Sequence, residues 1–419
     1  MWAARYNQHV SQAPRYQLQS PRSFLQLFRD GSAPASVDLD ACDTAEAWSL
    51  VGLAALARVN GSASLAIHHS SSSPVGRFAS AIGLEDAVRG VQPESLGEAG
   101  RTVKICRVTN IQEVETIARR IATLMVPDPA DDQTENTLRY VLVELMRNAV
   151  QHSMDPKGGV VAAQRMDAGY PGYSRPMIQV AVADAGIGIL DALRASHRDI
   201  DQPSAALVEA LRPHVSGKFN RGQTGSAYNA GMGLFFISEM TKLTEGRMLV
   251  ASRGAALLLK GHQEGYASST IDFVPPEGSG FPGTLVAFEI PIGEVQDHGA
   301  LIATIAEKAR TRTPARDTAP WLRFEAPPPG TESFVVGSVV EDIEGAERLA
   351  EAMQKVLFRR QPVAIDFRGL KVCTQSFLHA LLFTVVRMSW ALQVPIYVEN
   401  AHPGVATGIK LVDNYSRGG

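Results

Sequence analysis

Two polar side chains in the segment VELMRNAVQHS, Glu144 and Asn148, are four residues apart in a stretch with the apolar spacing of a helix. This spacing places both side chains on one face of the helix, where both can reach one ligand. A carboxylate can act as a base toward water or a hydroxyl group, and a carboxamide oxygen suits a hard cation such as Mg²⁺. The alternative interpretation is a solvated polar face, because Glu and Asn at helical spacing are common.

A second candidate group follows in the segment VADAGIGI, where Asp184 ends a predicted strand and Gly186 and Gly188 come directly after it. A carboxylate at a strand end can accept a hydrogen bond from an amine. Glycines let the backbone approach a flat base or a phosphate closely. Taken alone, this pattern is a weak indication of a ligand site.

Two further glycine-containing segments are suited to phosphate. The segment NAGMGL puts Gly231 and Gly233 directly before a predicted helix, where free amide groups and the helix dipole favour an anion; the alternative is an ordinary helix entry. The segment GTLVAFEIP begins a strand with Thr284 after a glycine. Residues 189–230 form an irregular, glycine-bearing stretch typical of a functional lid, and Lys218 within it is either a partner for phosphate charge or a solvated loop residue.

The patterns around these residues predict the elements that position them. TVKICRV alternates like a strand, residues 113–125 and 135–152 have apolar residues at helical spacing, and strand-like patterns flank the turn AGYPGYSRP. Residues 233–243 are again helical, and RMLVASR and GTLVAFEIP are further strands. We therefore expect two helices and a mixed sheet, with Glu144 and Asn148 on the second helix and Asp184 at a strand end.

The order and spacing of the four motifs resemble the Bergerat-type ATP-binding fold of the GHKL group. This group includes type II topoisomerases, the large heat-shock chaperone, mismatch-repair ATPases, histidine kinases and bacterial anti-sigma switch kinases. The resemblance covers roughly residues 101–293. The phosphate-loop pattern GxxxxGK[ST] does not occur in the sequence, and no GxGxxG segment joins a predicted strand to a helix, which disfavours other nucleotide-binding folds.

The resemblance implies a role for each motif residue, with ATP and Mg²⁺ as ligands. Glu144 is implied as the base, and such a base can activate either a water for hydrolysis or a serine hydroxyl for phosphoryl transfer. Many histidine kinases have Asn at this position, whereas chaperones, topoisomerases and switch kinases have Glu. The other implied roles are Mg²⁺ binding by Asn148, adenine binding by Asp184 with support from Thr284 through water, shaping of the adenine pocket by Gly186 and Gly188, and closure of the lid over the phosphates by Gly231 and Gly233.

The carboxyl-terminal segment VAIDFRGLKVCTQSFLHALLF reads as a strand, a turn and an amphipathic helix, followed by the strand VPIYVEN. It resembles a STAS-like domain, the fold of anti-sigma factor antagonists, whose D-S-S-G loop presents a phosphorylatable serine. Alignment from Asp366 puts Ser376 at the acceptor position, with Thr374 where the family has Asp and Phe377 where it has Gly. Thr374 is a second acceptor candidate. The alternative for Ser376 is a helix N-cap.

The amino-terminal segment VDLDACDTAEAWSLVGLAALARV has the same order of strand, acidic turn and helix, but Trp48 falls at its acceptor position. This copy is therefore predicted to be a scaffold or a docking surface. The predicted fold class is α/β, with a central α/β-sandwich Bergerat domain between two STAS-like α/β domains. The predicted boundaries are a STAS-like domain with a polar extension at 1–98, the GHKL domain at 101–293, a linker at 294–330 and the second STAS-like domain at 331–419.

Length and composition agree with several packed domains. The chain has 419 residues, of which 45% are hydrophobic and 20% are charged, and its formal net charge is -3. No global field therefore favours nucleic acid or an anionic membrane, and no apolar stretch spans a bilayer comfortably. Cys42, Cys106 and Cys373 are widely separated, which disfavours a disulfide framework or a zinc site. We expect a cytoplasmic protein.

Three hypotheses for function follow. The first is an ATP-binding regulatory protein, a serine/threonine-protein kinase or ATPase of the anti-sigma, partner-switching type, with an antagonist or regulator protein as partner. The second is an ATP-driven conformational switch that dimerises without phosphotransfer, since homodimers are common in this ATPase group. The third is a non-catalytic nucleotide sensor. A histidine kinase is the least favoured enzyme, because no histidine lies in the H-[DE]-x-x-x-P setting.

Overall fold

The computed structural model describes residues 13–29, 31–58, 65–194, 197, 200–213, 215, 232–261, 269–274, 278–293, 295, 297–312 and 321–416. These residues form a mixed α/β structure, so the prediction of an α/β chain is confirmed at this level. None of the helices in the described ranges is both long enough and apolar enough to cross a membrane.

The amino-terminal segment contains four short strands and four helices. Its elements are β1 (Arg15–Tyr16), α1 (Arg22–Leu25), β2 (Ser36–Asp38), β3 (Thr44–Ala45), α2 (Ala47–Ala57), β4 (Ala66–His68), α3 (Pro74–Ala81) and α4 (Leu84–Arg89). Within the described residues, β1 pairs with β3 and β2 pairs with β4, and both pairs are parallel. The expected strand and the helix after it are present as β2 and α2, but the sheet of a separate STAS-like domain is not seen in the part of the chain that the structure describes.

The central region contains one large sheet and the helices that flank it. Its elements are β5 (Gly97–Glu98), β6 (Thr102–Val108), α5 (Ile111–Met125), α6 (Asp132–Gln151), β7 (Gly159–Met166), β8 (Met177–Asp184), α7 (Gly188–Arg194), α8 (Pro203–Ala210), α9 (Gly233–Leu243), β9 (Arg247–Ser252), β10 (Ala255–Lys260), β11 (Thr270–Phe273) and β12 (Thr284–Pro291). The eight strands have the order β11-β10-β9-β12-β8-β7-β6-β5. Every neighbouring pair of strands is antiparallel. The expectation of a mixed sheet is therefore wrong.

Helix α2 explains why the amino-terminal segment does not stand alone. All eleven of its residues are buried, and its sequence AWSLVGLAALA has no polar face. A helix that is apolar all round must be covered on all sides. It packs on β7 and β8, whose alanines at 162, 181 and 183 face it, while the valines at 161, 180 and 182 face the α5 and α6 side. Strand β8 is consequently buried over its whole length.

The carboxyl-terminal region contains a four-stranded parallel sheet. Its elements are α10 (His298–Arg312), β13 (Leu322–Arg323), β14 (Glu332–Val335), α11 (Ile343–Phe358), β15 (Val363–Asp366), α12 (Gln375–Leu392), β16 (Ile396–Glu399) and α13 (Pro403–Ser416). The strand order is β13-β16-β15-β14. Strand β13 lies upstream of residue 331, so this sheet begins earlier than the predicted boundary.

The segment 294–330, which was predicted to be a linker, contains helix α10 in the structure. The apolar residues Ile302, Ile305, Ala306 and Ala309 recur at helical spacing and are buried in the same core as α6 and α9. Helix α10 packs against both α9 and α13. It is therefore a structural connection between the central sheet and the carboxyl-terminal domain.

A buried polar cluster fixes the amino-terminal segment on the central sheet. Glu46 Oε2 accepts hydrogen bonds from the Leu18 amide at 2.9 Å and from Gln179 Nε2 at 2.9 Å. Gln179 Nε2 also donates to Glu289 Oε1 at 3.0 Å, so one amide group serves two buried carboxylates. Burial, assisted by the nearby Glu289, raises the pKa of Glu46 to about 7.

This cluster predicts a stability that depends on pH. Because the pKa of Glu46 is raised from its ordinary 4.5 to about 7, its stabilising contribution is present in acid and is lost as the pH rises through 7. Between pH 5 and pH 8 the wild type is expected to lose about 2.5 kcal/mol more unfolding free energy than Glu46→Gln. Urea unfolding at both pH values measures this, with the exposed Glu94→Gln as control. Equal losses in wild type and Glu46→Gln would contradict the prediction.

Candidate functional site

Helix α6 brings the predicted helix pair to one end of the central sheet. Asp131 caps the helix by accepting the Thr134 amide at 3.2 Å, and its apolar face packs in the core. Glu144 and Asn148 both line a pocket at its carboxyl-terminal half. The other predicted residues that line this pocket are Asp184, Gly188, Gly233, Thr284 and Ser376.

Four predicted residues either do not line this pocket or lie outside the described residues. Gly186 lies next to the pocket through the loop that follows β8. Thr374 lines a different cavity between α6 and the carboxyl-terminal domain. Lys218 and Gly231 lie outside the described residues.

Asp184 ends β8 and lies directly opposite Thr284 in the register of β8 with β12. Its carboxylate is buried, and Oδ1 accepts the Gly186 amide at 2.9 Å. Burial raises the pKa of Asp184 to about 7, opposed by that amide bond. Asp184 is thus a hydrogen-bond acceptor at the apolar end of the pocket whose charge changes near neutral pH.

The glycine at 186 is required by close packing. A Cβ atom there would lie 1.9 Å from the Ser153 carbonyl oxygen, which belongs to the turn after α6. The loop after Asp184 is therefore pressed against the end of the helix that carries Asn148. The close approach explains the first glycine of the DAGIG segment without reference to any ligand.

Gly233 makes a close contact with side chains on the other side of the pocket. It begins α9, and a Cβ atom there would lie 2.7 Å from Glu144 Oε2 and 3.5 Å from Asn148 Nδ2. The start of α9 consequently touches both polar side chains of α6. Unpaired amide groups at such a helix start favour an anion.

Glu144 is almost completely buried, with 2% of its surface exposed. Its Oε2 accepts a hydrogen bond from Ser376 Oγ at 2.8 Å, while Oε1 has no partner among the described residues. Burial raises the pKa of Glu144, and the nearby Arg147 and the bond from Ser376 act in the opposite direction. A carboxylate held in this way can accept the proton of the hydroxyl group.

Arg147 is a residue that the sequence analysis missed. It is buried on α6 and donates to Thr374 Oγ1 at 3.1 Å and to the Glu341 carbonyl oxygen at 2.9 Å, with its Nη2 3.6 Å from Glu341 Oε2. Glu341 in turn accepts the Thr374 amide at 2.6 Å, and its own φ of 59° lies in the left-handed region. We call these three residues the clamp. The sequence did contain a signal for Arg147, because an arginine three positions after Glu144 stands out on an apolar helix. It contained no signal for Glu341.

The clamp corrects two expectations for α12. The N-cap of this helix is Thr374, whose Oγ1 accepts the Phe377 amide at 3.2 Å, and not Ser376. The hydroxyl of Thr374 is buried and hydrogen-bonded to Arg147 and Glu341, and Thr374 lines a different cavity, so the structure does not bring it to the pocket. The Ser376 hydroxyl is instead directed at Glu144.

Ser252 is a second residue without a sequence signal. At the end of β9, its Oγ accepts the Ile189 amide at 2.9 Å and donates to the Gly283 carbonyl oxygen at 2.9 Å. It thereby ties the loop after Asp184 to the start of the strand that carries Thr284. We assign it as a positioning residue for the Asp184 side of the pocket.

The side chains present are compatible with a nucleotide-bound magnesium ion. The Asn148 side chain is half-buried, lines the pocket and forms no hydrogen bond to any residue that the structure describes. The described ranges contain no cluster of three or more His, Cys, Asp or Glu side chains that could bind a metal alone. Mg²⁺ commonly uses one or two protein oxygens and completes its shell with phosphates and water, so Asn148 fits such a role.

Comparison with known proteins adds no family assignment: no protein-family model matches the chain, and no curated protein matches it significantly.

The clamp predicts that replacing Arg147 lowers the unfolding free energy much more than replacing an exposed arginine does. Arg147→Met leaves the buried Glu341 carboxylate without its cation, so we expect a loss of about 3 kcal/mol in unfolding free energy. Arg348→Met is the matched control, because Arg348 is 67% exposed and pairs with Asp342 at 3.6 Å; its loss should stay below about 1 kcal/mol. Urea unfolding of both variants measures the difference, and similar losses would contradict the buried clamp.

Proposed function

We propose that the pocket binds Mg-ATP and that the protein is an ATP-dependent regulator of the kinase or ATPase type. The observation that carries this proposal is the convergence of four separate sequence segments on one pocket, through Glu144 and Asn148, Asp184, Gly233 and Thr284. These are the segments whose order resembles the GHKL group. A four-stranded parallel sheet with α11 and α12 in the carboxyl-terminal domain supports the comparison with STAS-like domains in the same way.

Each group has a physical task in this proposal. Asp184 accepts a hydrogen bond from the adenine amino group, and the start of α9 at Gly233 receives phosphate oxygens. Asn148 holds the magnesium ion, which when bound neutralises charge on the phosphates. Glu144 takes the proton of the attacking hydroxyl or water. A protein partner, an antagonist or regulator, would read the nucleotide state.

The contact between Glu144 and Ser376 favours transfer to a serine over the alternatives. A dimerising ATPase switch or a nucleotide sensor needs no hydroxyl of the protein beside the base. The structure has one at 2.8 Å from Glu144 Oε2. We therefore rank kinase chemistry first, ATP hydrolysis second and a sensor third.

Nucleotide binding is expected to depend on Asp184 and on pH. Asp184→Asn replaces an acceptor with a group that also presents donors, and should weaken Mg-ATP binding by about tenfold or more at pH 8. Because the pKa of Asp184 is raised to about 7, the carboxylate protonates between pH 8 and pH 6 and wild-type affinity should fall by about tenfold.

Titration calorimetry with Mg-ATP at both pH values measures these affinities. The Asp184→Asn variant should lack this pH dependence, while the exposed Asp191→Asn variant should behave as wild type. Unchanged affinity in Asp184→Asn would contradict the assignment of the adenine acceptor.

Glu144 is expected to affect turnover far more than it affects the binding of Mg-ATP. Glu144→Gln keeps the size of the side chain and a hydrogen bond with Ser376 but removes the base, so turnover should fall by about 10²- to 10⁴-fold. Mg-ATP affinity should change by less than about threefold, because the base acts mainly in the reaction. Glu135→Gln on the same helix is the control, and a Glu144→Gln protein with full turnover would exclude Glu144 as base.

A further inference from the structure

The cavity that Thr374 lines, between α6 and the carboxyl-terminal domain, is separate from the pocket of Glu144, and we call it the interdomain cavity. The clamp lies between the two: Arg147 lines the pocket, while Glu341 and Thr374 line the interdomain cavity. The volume of this cavity is about 230 Å³, which is room for several water molecules or one small organic ligand. Its other polar lining residues are Asn136, Arg139, Tyr140, His298 and Lys371.

His298 carries an unpaired hydrogen-bond acceptor. Thr137 Oγ1 donates its single hydrogen to the Gln133 carbonyl oxygen at 2.8 Å, so in its 2.8 Å contact with His298 Nδ1 it acts as the acceptor. We therefore assign the ring hydrogen to Nδ1 and a lone pair to Nε2. Burial lowers the pKa of His298 to about 3, which keeps the ring neutral. Nε2 is buried and has no hydrogen-bond partner among the residues that the structure describes.

The Tyr140 hydroxyl is a second buried group without a partner. The Tyr140 ring stacks on Phe236 with the ring centroids 5.8 Å apart and meets His298 edge-on at 6.1 Å, so neighbouring rings fix its orientation. Its oxygen forms no hydrogen bond of normal geometry within the described ranges, although the Gln375 amide lies near it. Buried polar groups are normally paired with protein or with a bound molecule, so two unpaired groups in the lining of one cavity point to a ligand.

Two cations in the lining favour a ligand with negative charge. Arg139 forms an ion pair with Glu115, and Lys371, which is 70% exposed, lies 3.7 Å from Asp132. Neither of these acids lines the cavity. A guanidinium has five donors and an ammonium has three, so each cation can pair with its acid and still donate to a ligand.

We propose that the interdomain cavity is a binding site for a small hydroxylated anion, a hydroxy acid or its phosphate counterpart. The hydroxyl group of the ligand donates to His298 Nε2, and its charged group accepts from Arg139 and Lys371. Tyr140 donates to a ligand oxygen. Glu341 is the single carboxylate among the described lining residues, and its charge is met by Arg147, so it does not repel such a ligand. This site goes beyond the proposed function and does not depend on it.

The position of the site gives the ligand an effect on the fold. Arg139 and Tyr140 belong to α6, whereas Leu370 and Lys371 belong to the loop after β15. The complete site therefore exists only while these two parts of the chain are docked. A molecule that binds only the docked, folded chain stabilises it, so a ligand should raise the unfolding midpoint in proportion to its affinity.

The ligand class is tested by titration calorimetry of the full chain with malate, succinate and glycerol 3-phosphate. Malate and succinate share a carbon skeleton and two carboxylates, but succinate lacks the hydroxyl group that pairs with His298 Nε2. We expect one malate per chain, bound at least about tenfold more tightly than succinate. Binding of glycerol 3-phosphate in place of malate would support the site with phosphate as the charged group. Failure of both hydroxylated anions to bind at about 10 mM would overturn the inference.

Three variants assign the binding to this cavity. His298→Asn keeps a donor toward Thr137 but lacks Nε2, so it should lose the preference for malate over succinate. Tyr140→Phe keeps the ring and removes only the unpaired hydroxyl, so it should weaken binding of the tighter anion at least about fivefold without lowering the urea midpoint of the free protein. Lys371→Met should weaken binding at least about threefold, whereas the exposed Lys355→Met on α11 should leave it unchanged.

Cooperative urea unfolding confirms that each variant is folded. Because Tyr140→Phe conserves the packing of the ring, it keeps the test decisive if His298→Asn fails to fold. Wild-type affinity in Tyr140→Phe, or an unchanged preference for malate in a folded His298→Asn, would overturn the assignment of the site.

Discussion

The buried carboxylate of Glu144 constrains three parts of the chain at once. A carboxylate without water needs donors and favourable dipoles, or it costs several kcal/mol. Here α6 supplies the side chain, the start of α9 comes within contact distance at Gly233, and the first turn of α12 supplies the Ser376 hydroxyl. Both helices begin beside the carboxylate, where their dipoles favour negative charge. Burial and the helix dipoles thus act in opposite directions on the charge of the same carboxylate.

The opposite end of the pocket depends on a different constraint, the double burial of β8. Because α2 covers one face of the strand and the α5 and α6 side covers the other, Asp184 ends a strand with no solvent-exposed residue. The Gly186 amide and the bonds of Ser252 fix the loop that follows. The amino-terminal segment therefore forms a structural layer behind the pocket.

Local patterns were sufficient to place the groups that sit on regular elements. Helical spacing put Glu144 and Asn148 on one face, and the strand ending at Asp184 and the helix starting at Gly233 are present as expected. Long-range contacts could not be predicted from spacing: Glu341 is far from Arg147 in sequence, and nothing local indicates that Thr374 rather than Ser376 caps α12.

The amino-terminal segment differs from the predicted separate domain for two reasons. Strands of two or three residues are too short to form a sheet with its own core, and α2 is apolar on all sides, whereas a surface helix needs only one apolar face.

Helix α10 affects how a separate protein could compete with the chain's own α12 for the place beside Glu144. Part of the linker that was expected between the two regions is the packed helix α10, so the first turn of α12 is held close to the pocket. A short tether of this kind keeps its cargo at an effective concentration on the order of millimolar. A separate protein presenting its own hydroxyl to Glu144 would have to exceed that local concentration or bind more tightly. In this structure the chain's own Ser376 hydroxyl occupies the position next to Glu144.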